Sequence, residues 1–310
     1  MKHLRIALIN GPLKSAVCDV GVGHQMPLGL LMIGGPLLAA GYCVKLIDAA
    51  CEHLSDVEIA NRVAAFDAQI VTIAHVGSTS AHPCCLRVLR AIKGTLPHCI
   101  TVYGGVHPTY RYQKILAEHP EVDMVVRGEG EATVLDLVNT IAAQVGDSEQ
   151  QADLSSIGGL SPVAGIAWRC NGTATTTASR APITDLDAFP IGWELITNWD
   201  QYQAFGLGRA AVVQFSRGCP HTCTYCGQWM FWRRWRHRNV KQFVDELAWL
   251  FYEHDVHFFW LADENPTTLK DVWQQVLQEV ADRHLPIGLC ASIRAQDIVR
   301  DAESFRSTSA

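Results

Sequence analysis

"RGCPHTCTYCGQWMFWRRWRHR", residues 217–238, sets Cys219, Cys223 and Cys226 on one short loop and runs on into aromatics and arginines. Three thiols so spaced admit three readings. A structural zinc site needs four ligands, and His221 or His237 would have to complete it, since no second C-x-x-C exists. A thioredoxin-like redox pair would use Cys223 and Cys226 and leave Cys219 idle. Three thiolates can instead hold three irons of a [4Fe–4S] cluster and leave the fourth iron open to a ligand.

The flanking sequence places this loop in a fold. "AAVVQFSRGC" (210–219) reads as a strand running into the cysteines. Val240, Phe243, Val244, Leu247, Leu250 and Phe251 then recur at helical spacing. "VHFFWLADE" (256–264) is the next strand, "TLKDVWQQVLQEVADRH" (268–284) the next helix, and "IGLCASIRA" (287–295) a third strand. The cysteines therefore end the first strand of a β-α series, where barrel-type folds carry their chemistry.

The first half alternates short apolar runs with helical stretches. Strands are expected at 4–10, 43–49, 68–76, 99–105 and 122–130, and helices at 27–41, 54–67, 81–97, 109–120 and 131–145. Runs this apolar are buried on both faces, the pattern of a parallel sheet covered by helices. Ligands of such sheets sit at the carboxyl ends of the strands. The residues there are Asn10, then Gly77, Ser78 and Thr79, then Gly104, Gly105, Val106 and His107, then Gly128 and Glu129. Glycines let the backbone approach a large flat or phosphorylated ligand, and the hydroxyls add donors; tight turns of any α/β protein look alike. A dinucleotide fits poorly, because "GVGHQM" (21–26) lacks the third glycine and lies well past the first strand, and no Walker A pattern is present.

Between the halves, "VAGIAWRCNGTATTTAS" (163–179) reads as a β-hairpin turning at Asn171-Gly172. The domains expected are 1–145, a hairpin embellishment and linker over 146–208, and 209–310. The net charge of −6 argues against broad nucleic-acid binding, and 48% hydrophobic residues suffice for a sizeable core. No apolar run is long enough to span a membrane and "MKHLRIALIN" has no signal-peptide layout, so a cytoplasmic protein is expected. The remaining eight of eleven cysteines are scattered and read as small buried hydrophobes.

C-x-x-x-C-x-aromatic-C after a first strand, with Tyr225 before the last cysteine, resembles the radical S-adenosylmethionine (SAM) enzymes. In that family the open iron chelates SAM, and an electron from the cluster cleaves it to methionine and a 5′-deoxyadenosyl radical. A five-unit α/β domain ahead of the motif resembles the cobalamin-binding subclass. The resemblance implies an N-terminal five-stranded, Rossmann-like, parallel-sheet domain followed by an incomplete radical SAM (β/α) partial barrel. The Asp-x-His-x-x-Gly signature of some cobalamin proteins is absent, and "DVGVGH" (19–24) is a distant echo that leaves His24 a weak axial candidate.

Within the subclass, the opening stretch with "ADENPT" (262–267), "GGVH" (104–107) and "VRGEGE" (126–131) is similar to the anaerobic oxidative cyclases of bacteriochlorophyll biosynthesis, to about residue 300. The loop 11–29 departs from their pattern. These enzymes close the isocyclic ring of a magnesium porphyrin with SAM and cobalamin. The resemblance implies that Cys219, Cys223 and Cys226 bind the cluster and that Tyr225 lies near the adenine. It also implies that Asp263 and Glu264 meet the SAM amino group, that Ser292 and Arg294 meet its carboxylate or ribose, and that the strand-end residues pack on cobalamin. The implied partners are a tetrapyrrole substrate and an electron donor such as a flavodoxin or ferredoxin; a cobalamin-dependent methyltransferase and an inactive cobalamin-binding module are the alternatives.

Trp229, Phe231, Trp232 and Trp235, interleaved with Arg233, Arg234, Arg236 and Arg238, can be read three ways. They can stack on a nucleic acid, stack on a macrocycle with arginines on its propionates, or pack under the loop with solvated arginines. The resembled barrel has more than the three units visible here, so a C-terminally truncated chain that holds its cluster poorly and turns over little is expected.

Overall fold

The computed structural model describes residues 4–13, 23–74, 81–145, 159–170 and 172–302. They form two compact units. Residues up to 182, without 23–26, join Phe189–Thr197 in the first; 23–26, Ile183–Ala188 and the chain from Asn198 form the second.

The first unit is a sheet between two helical layers. Its strands are β1 (Arg5–Asn10), β2 (Cys43–Asp48), β3 (Ile70–Ala74), β4 (Ile100–Gly104), β5 (Met124–Val126), β6 (Ile166–Cys170) and β7 (Thr173–Thr176), in spatial order 2-1-3-4-5-6-7. β1 to β5 are parallel. The helices are α1 (Leu28–Ala39), α2 (Asp56–Phe66), α3 (His82–Thr95), α4 (Val106–Glu118) and α5 (Glu131–Val145). Side chains alternate across the sheet as the pleat requires. Ala7, Ile9, Val71, Ile73 and Tyr103 pack with Ile59, Val63, Val88 and Ile115 of α2, α3 and α4. Ile6, Leu8, Ile70 and Val102 pack with Leu30, Leu37, Leu137 and Ile141 of α1 and α5.

Local sequence explains the helix ends. At α2, Ser55 Oγ accepts from Glu58 N while Glu58 accepts from Ser55 N, a capping box. α4 starts at Val106, three residues earlier than the sequence suggests, because Pro108 falls in the first turn, where no backbone donor is missed. In α1, a Cβ on Gly35 would stand 2.0 Å from the Pro190 carbonyl oxygen, and Leu31 O accepts from Gly192 N at 2.9 Å. Only glycine lets the helix and the 190–192 strand of chain approach so closely.

The 163–179 hairpin is more than an embellishment. β6 pairs antiparallel with β5 and extends the five parallel strands to seven. Its Arg169 donates to the carbonyls of Leu116 (2.6 Å from Nη2), His119 (3.0 Å) and Val122 (3.4 Å), closing the C-terminal end of α4. Asn171, at the expected turn, lies outside the described residues. Cys84, Cys85 and Cys99 are buried, and burial pushes the thiols of Cys85 and Cys99 up to about 12, as inert core residues.

His82 gives this unit a pH dependence. Burial, then the neighbouring His107 and His119, hold its imidazole down at about 4, against an ordinary value of 6.5. The unfolded chain therefore takes up the proton first, and stability falls as pH drops from about 6.5 to about 4. Thermal melts of His82→Gln should show a shallower loss across that window; an unchanged slope would count against the assignment.

The second unit begins with β8 (Arg209–Val213) and β9 (Ser216–Arg217), then α6 (Gln228–Trp232), β10 (Arg236–His237), α7 (Val240–His254), β11 (Val256–Leu261), α8 (Lys270–Asp282), β12 (Gly288–Cys290) and α9 (Ala295–Arg300). β12, β11 and β8 form a parallel sheet in that order. Val256, Phe259 and Leu261 of β11 are buried, with a register shift between Val256 and Phe258, and Phe243, Val244 and Leu247 of α7 and Trp273 of α8 are likewise buried. The third strand is shorter than expected, so Ser292 and Arg294 lie beyond its end. Among the described residues no helix is long and apolar enough to cross a membrane.

Candidate functional site

A two-residue antiparallel ribbon brackets the cysteine loop: Arg217 pairs with Arg236 and Ser216 with His237. Residues 218–235 are thereby one closed excursion from the carboxyl end of β8. Gly218 opens it with φ 89°, and a Cβ there would meet Arg234 O at 2.4 Å. Cys226 N donates to Cys223 O at 3.0 Å. All three thiols are free and half-buried. Burial raises the Cys219 pKa, as does the nearness of Cys223 and Cys226, while the His221 N–H and Arg294 pull it down.

The donor set fits irons better than zinc. Soft thiolates suit both, but one zinc draws its sulfurs to about 2.3 Å from a shared centre. A cluster instead gives each thiolate its own iron and needs no fourth protein ligand. The two histidines that would complete a zinc set are engaged elsewhere. The His221 ring nitrogens face Arg294 Nη1 at 3.1 and 2.5 Å, and His237 Nδ1 sits 2.8 Å from Arg238 O.

The other expected residues distribute unevenly. Glu264 is half-buried, its partial burial raises its pKa, and it accepts from Gly218 N at 3.3 Å, so it stands at the loop's first turn. Arg294 caps the start of α9 and reaches the loop through His221, and it also bonds Gln296. Tyr225 is 91% exposed, with Cys223 beside its phenol raising that pKa. Ser292 is exposed between β12 and α9.

Asp263 faces the backbone of its own unit. It is 5% exposed, and its carboxylate accepts from Phe215 N at 3.0 Å and from Ser216 N and Oγ, both at 2.5 Å. Burial pushes its pKa up to about 7 against those three bonds. These bonds all run to the stem of the cysteine loop.

Much of the aromatic and arginine tail is bonded within its own unit. Arg238 lies between Asp187 (2.6 Å) and Glu246 (3.2 Å), and Arg236 donates to the carbonyls of Ile183 and Trp232. Arg217 stacks over Trp232 at 5.4 Å, and Trp235 Nε1 donates to Asn265 O at 3.1 Å. These arginines clamp backbone and acids of their own unit; Arg233 and Arg234 alone of the run are exposed.

In the first unit the glycine turns line the carboxyl edge of the sheet. Among the described residues, a Cβ on Gly104 would meet only Val126, at 3.9 Å, and one on Gly128 nothing within 4 Å. Backbone without side chains lets a large ligand approach closely. Val106 and His107 form the first turn of α4, and burial, with Arg111 nearby, lowers the His107 pKa. Glu129 is buried beside Gly128. Asn10 is committed to Asp48, its Nδ2 donating to Oδ1 at 2.7 Å. Gly77, Ser78 and Thr79 lie outside the described residues. Thr109, not anticipated, joins two turns: its hydroxyl donates to Gly105 O (2.7 Å) and accepts from Gly128 N (3.0 Å). Its only sequence signal is its place four residues after Gly105.

Two family models match: the B12 binding domain over residues 15–138 and the radical SAM superfamily over residues 213–304. The chain belongs to the cobalamin-binding radical SAM family. Among relatives of this radical SAM chain is an anaerobic magnesium-protoporphyrin IX monomethyl ester cyclase from a Synechocystis strain, 44% identical over 97% of the chain and 57% of the relative. The cyclase of the same name from Rubrivivax gelatinosus is 33% identical over 96% of the chain and 52% of the relative. The chain thus spans about half the length of the curated relatives it matches. The cobalamin-dependent SAM radical enzyme OxsB superposes with a TM-score of 0.73 at 17% identity, covering 96% of the chain and 40% of OxsB. The methyltransferase TsrM from Kitasatospora setae gives 0.66 at 13%, covering 92% and 52%. At these identities the two structures speak to the fold.

Proposed function

We propose that this chain holds a [4Fe–4S] cluster, SAM and cobalamin for the oxidative cyclisation of a magnesium tetrapyrrole. The observation that carries the substrate is the 44% identity to the Synechocystis cyclase across both units. Cys219, Cys223 and Cys226 would hold the cluster. When bound with SAM it supplies one-electron cleavage of the sulfonium, and cobalamin at the glycine edge supplies a second redox centre.

The protein's own part is binding and orientation. Gly218, with φ 89°, turns Cys219 out of the ribbon, and Glu264 N–H acceptance fixes that turn. Glu264 and Arg294, of opposite charge and both at the loop, suit the amino and carboxylate ends of one amino acid. Gly104, Gly105 and Gly128 would let cobalamin approach the strand ends, with Val106, His107 and Glu129 beside them. An electron donor such as a flavodoxin or ferredoxin completes the proposal.

Anaerobic reconstitution tests it. With iron, sulfide, cobalamin and a strong reductant, the chain should retain cobalamin and convert SAM to 5′-deoxyadenosine at low turnover, faster when magnesium-protoporphyrin IX monomethyl ester is added. Formation of S-adenosylhomocysteine without 5′-deoxyadenosine would favour methyl transfer, and failure to take up iron would end the enzyme reading.

A further inference from the structure

Asp263 stands where β11 ends, and its bonds converge on one place. Oδ2 takes Phe215 N, and Oδ1 takes both Ser216 N and Ser216 Oγ. Its neighbour Glu264 takes Gly218 N. Two adjacent acids thus hold the amides of residues 215, 216 and 218, the stem that leads to Cys219. At this point the chain leaves β8 for the β9–β10 ribbon, after only Gln214 and Phe215. Phe215 and Ser216 are fully buried, so solvent offers their donors no replacement acceptor. An ammonium ion seeking Asp263 would find three of its roughly four acceptor positions taken and the carboxylate 5% exposed.

We propose that Asp263 is a positioning residue of the metal centre: it fixes the direction in which the chain enters the cysteine loop, and it acts on cluster uptake and not on SAM. The proposal rests on the reading of the three cysteines as a cluster mount. Glu264 is then the acid that remains at the loop's surface for a ligand's ammonium. The charged groups facing this stem are Glu264 on the same turn and Arg217 on β9, whose Nε is held by Gln214 at 2.8 Å. Asp263→Asn keeps the size but turns an amide donor toward one of the three donors it must accept from. Ser216→Ala removes one bond and leaves the carboxylate.

The test uses the full chain and three readouts: amide hydrogen exchange without metal, iron per folded chain after anaerobic reconstitution, and SAM dissociation constant per loaded chain. In Asp263→Asn, exchange at residues 215–218 should quicken about tenfold or more and iron should fall at least about threefold. Ser216→Ala should show the same changes to a smaller degree. Loaded chains of both variants should bind SAM within about threefold of wild type. Wild-type exchange and iron in Asp263→Asn, with SAM binding weakened about tenfold, would overturn the proposal and return Asp263 to the ammonium. If Asp263→Asn does not fold, Ser216→Ala decides, and unchanged exchange there overturns it as well. If wild type takes up no iron, the cluster reading fails, and the exchange arm still reports whether Asp263 holds the stem.

Discussion

Cys223→Ala, reconstituted anaerobically with iron and sulfide, should retain less than about a tenth of the wild-type iron, and Cys219→Ala and Cys226→Ala should match it. Each thiolate would serve a different iron, so no remaining cysteine takes over the missing bond. His221 is no substitute, because its ring nitrogens already face Arg294. The control is Cys85→Ala. That thiol is buried in the first unit with its pKa pushed up to about 12, and its loss should leave iron uptake intact at a modest cost in stability. Iron analysis and the visible absorption of the cluster check the result. Equal iron in all four variants would show that the loop does not mount a cluster.

Gly218→Ala should lower the stability of the second unit by about 3 kcal/mol or more and take cluster uptake down with it. Two effects add. The residue sits at φ 89°, where a Cβ costs roughly 1–2 kcal/mol. The new Cβ would also fall 2.4 Å from Arg234 O, a backbone atom that moves only if the ribbon opens. Opening the ribbon breaks the pairing of Arg217 with Arg236 that closes the loop. Gly227→Ala is the matched control in the same loop. Its φ is −82° and a Cβ there meets nothing within 4 Å, so melting temperature and iron content should stay close to wild type. Equal melting temperatures for the two variants would refute the argument.

The parallel strands of the first unit were legible because burial on both faces leaves unbroken apolar runs, as in "RIALIN" and "IVTIA". The cysteine loop was legible because three reactive side chains share one short segment. What stayed hidden depends on partners far along the chain. Nothing local in "RRWRHR" shows that Arg238 pairs with Asp187, 51 positions away. Nor does "ADEN" reveal that Asp263 faces the backbone of Ser216, 47 positions back. The hairpin was readable as a hairpin, but its docking on β5 was not, since alternation fixes a strand's faces and leaves its neighbour open.

The Thr109 hydroxyl has a mechanical consequence. It is at once a donor to the turn after β4 and an acceptor from the turn after β5, so neither turn shifts without straining the other. Arg169 holds the opposite end of the same helix at three carbonyls. α4 is therefore loaded like a beam fixed at its far end and tied at its tip to a second support. A molecule resting on these glycines presses against the stiffness of a whole helix and two strands, where an untied turn would simply flex.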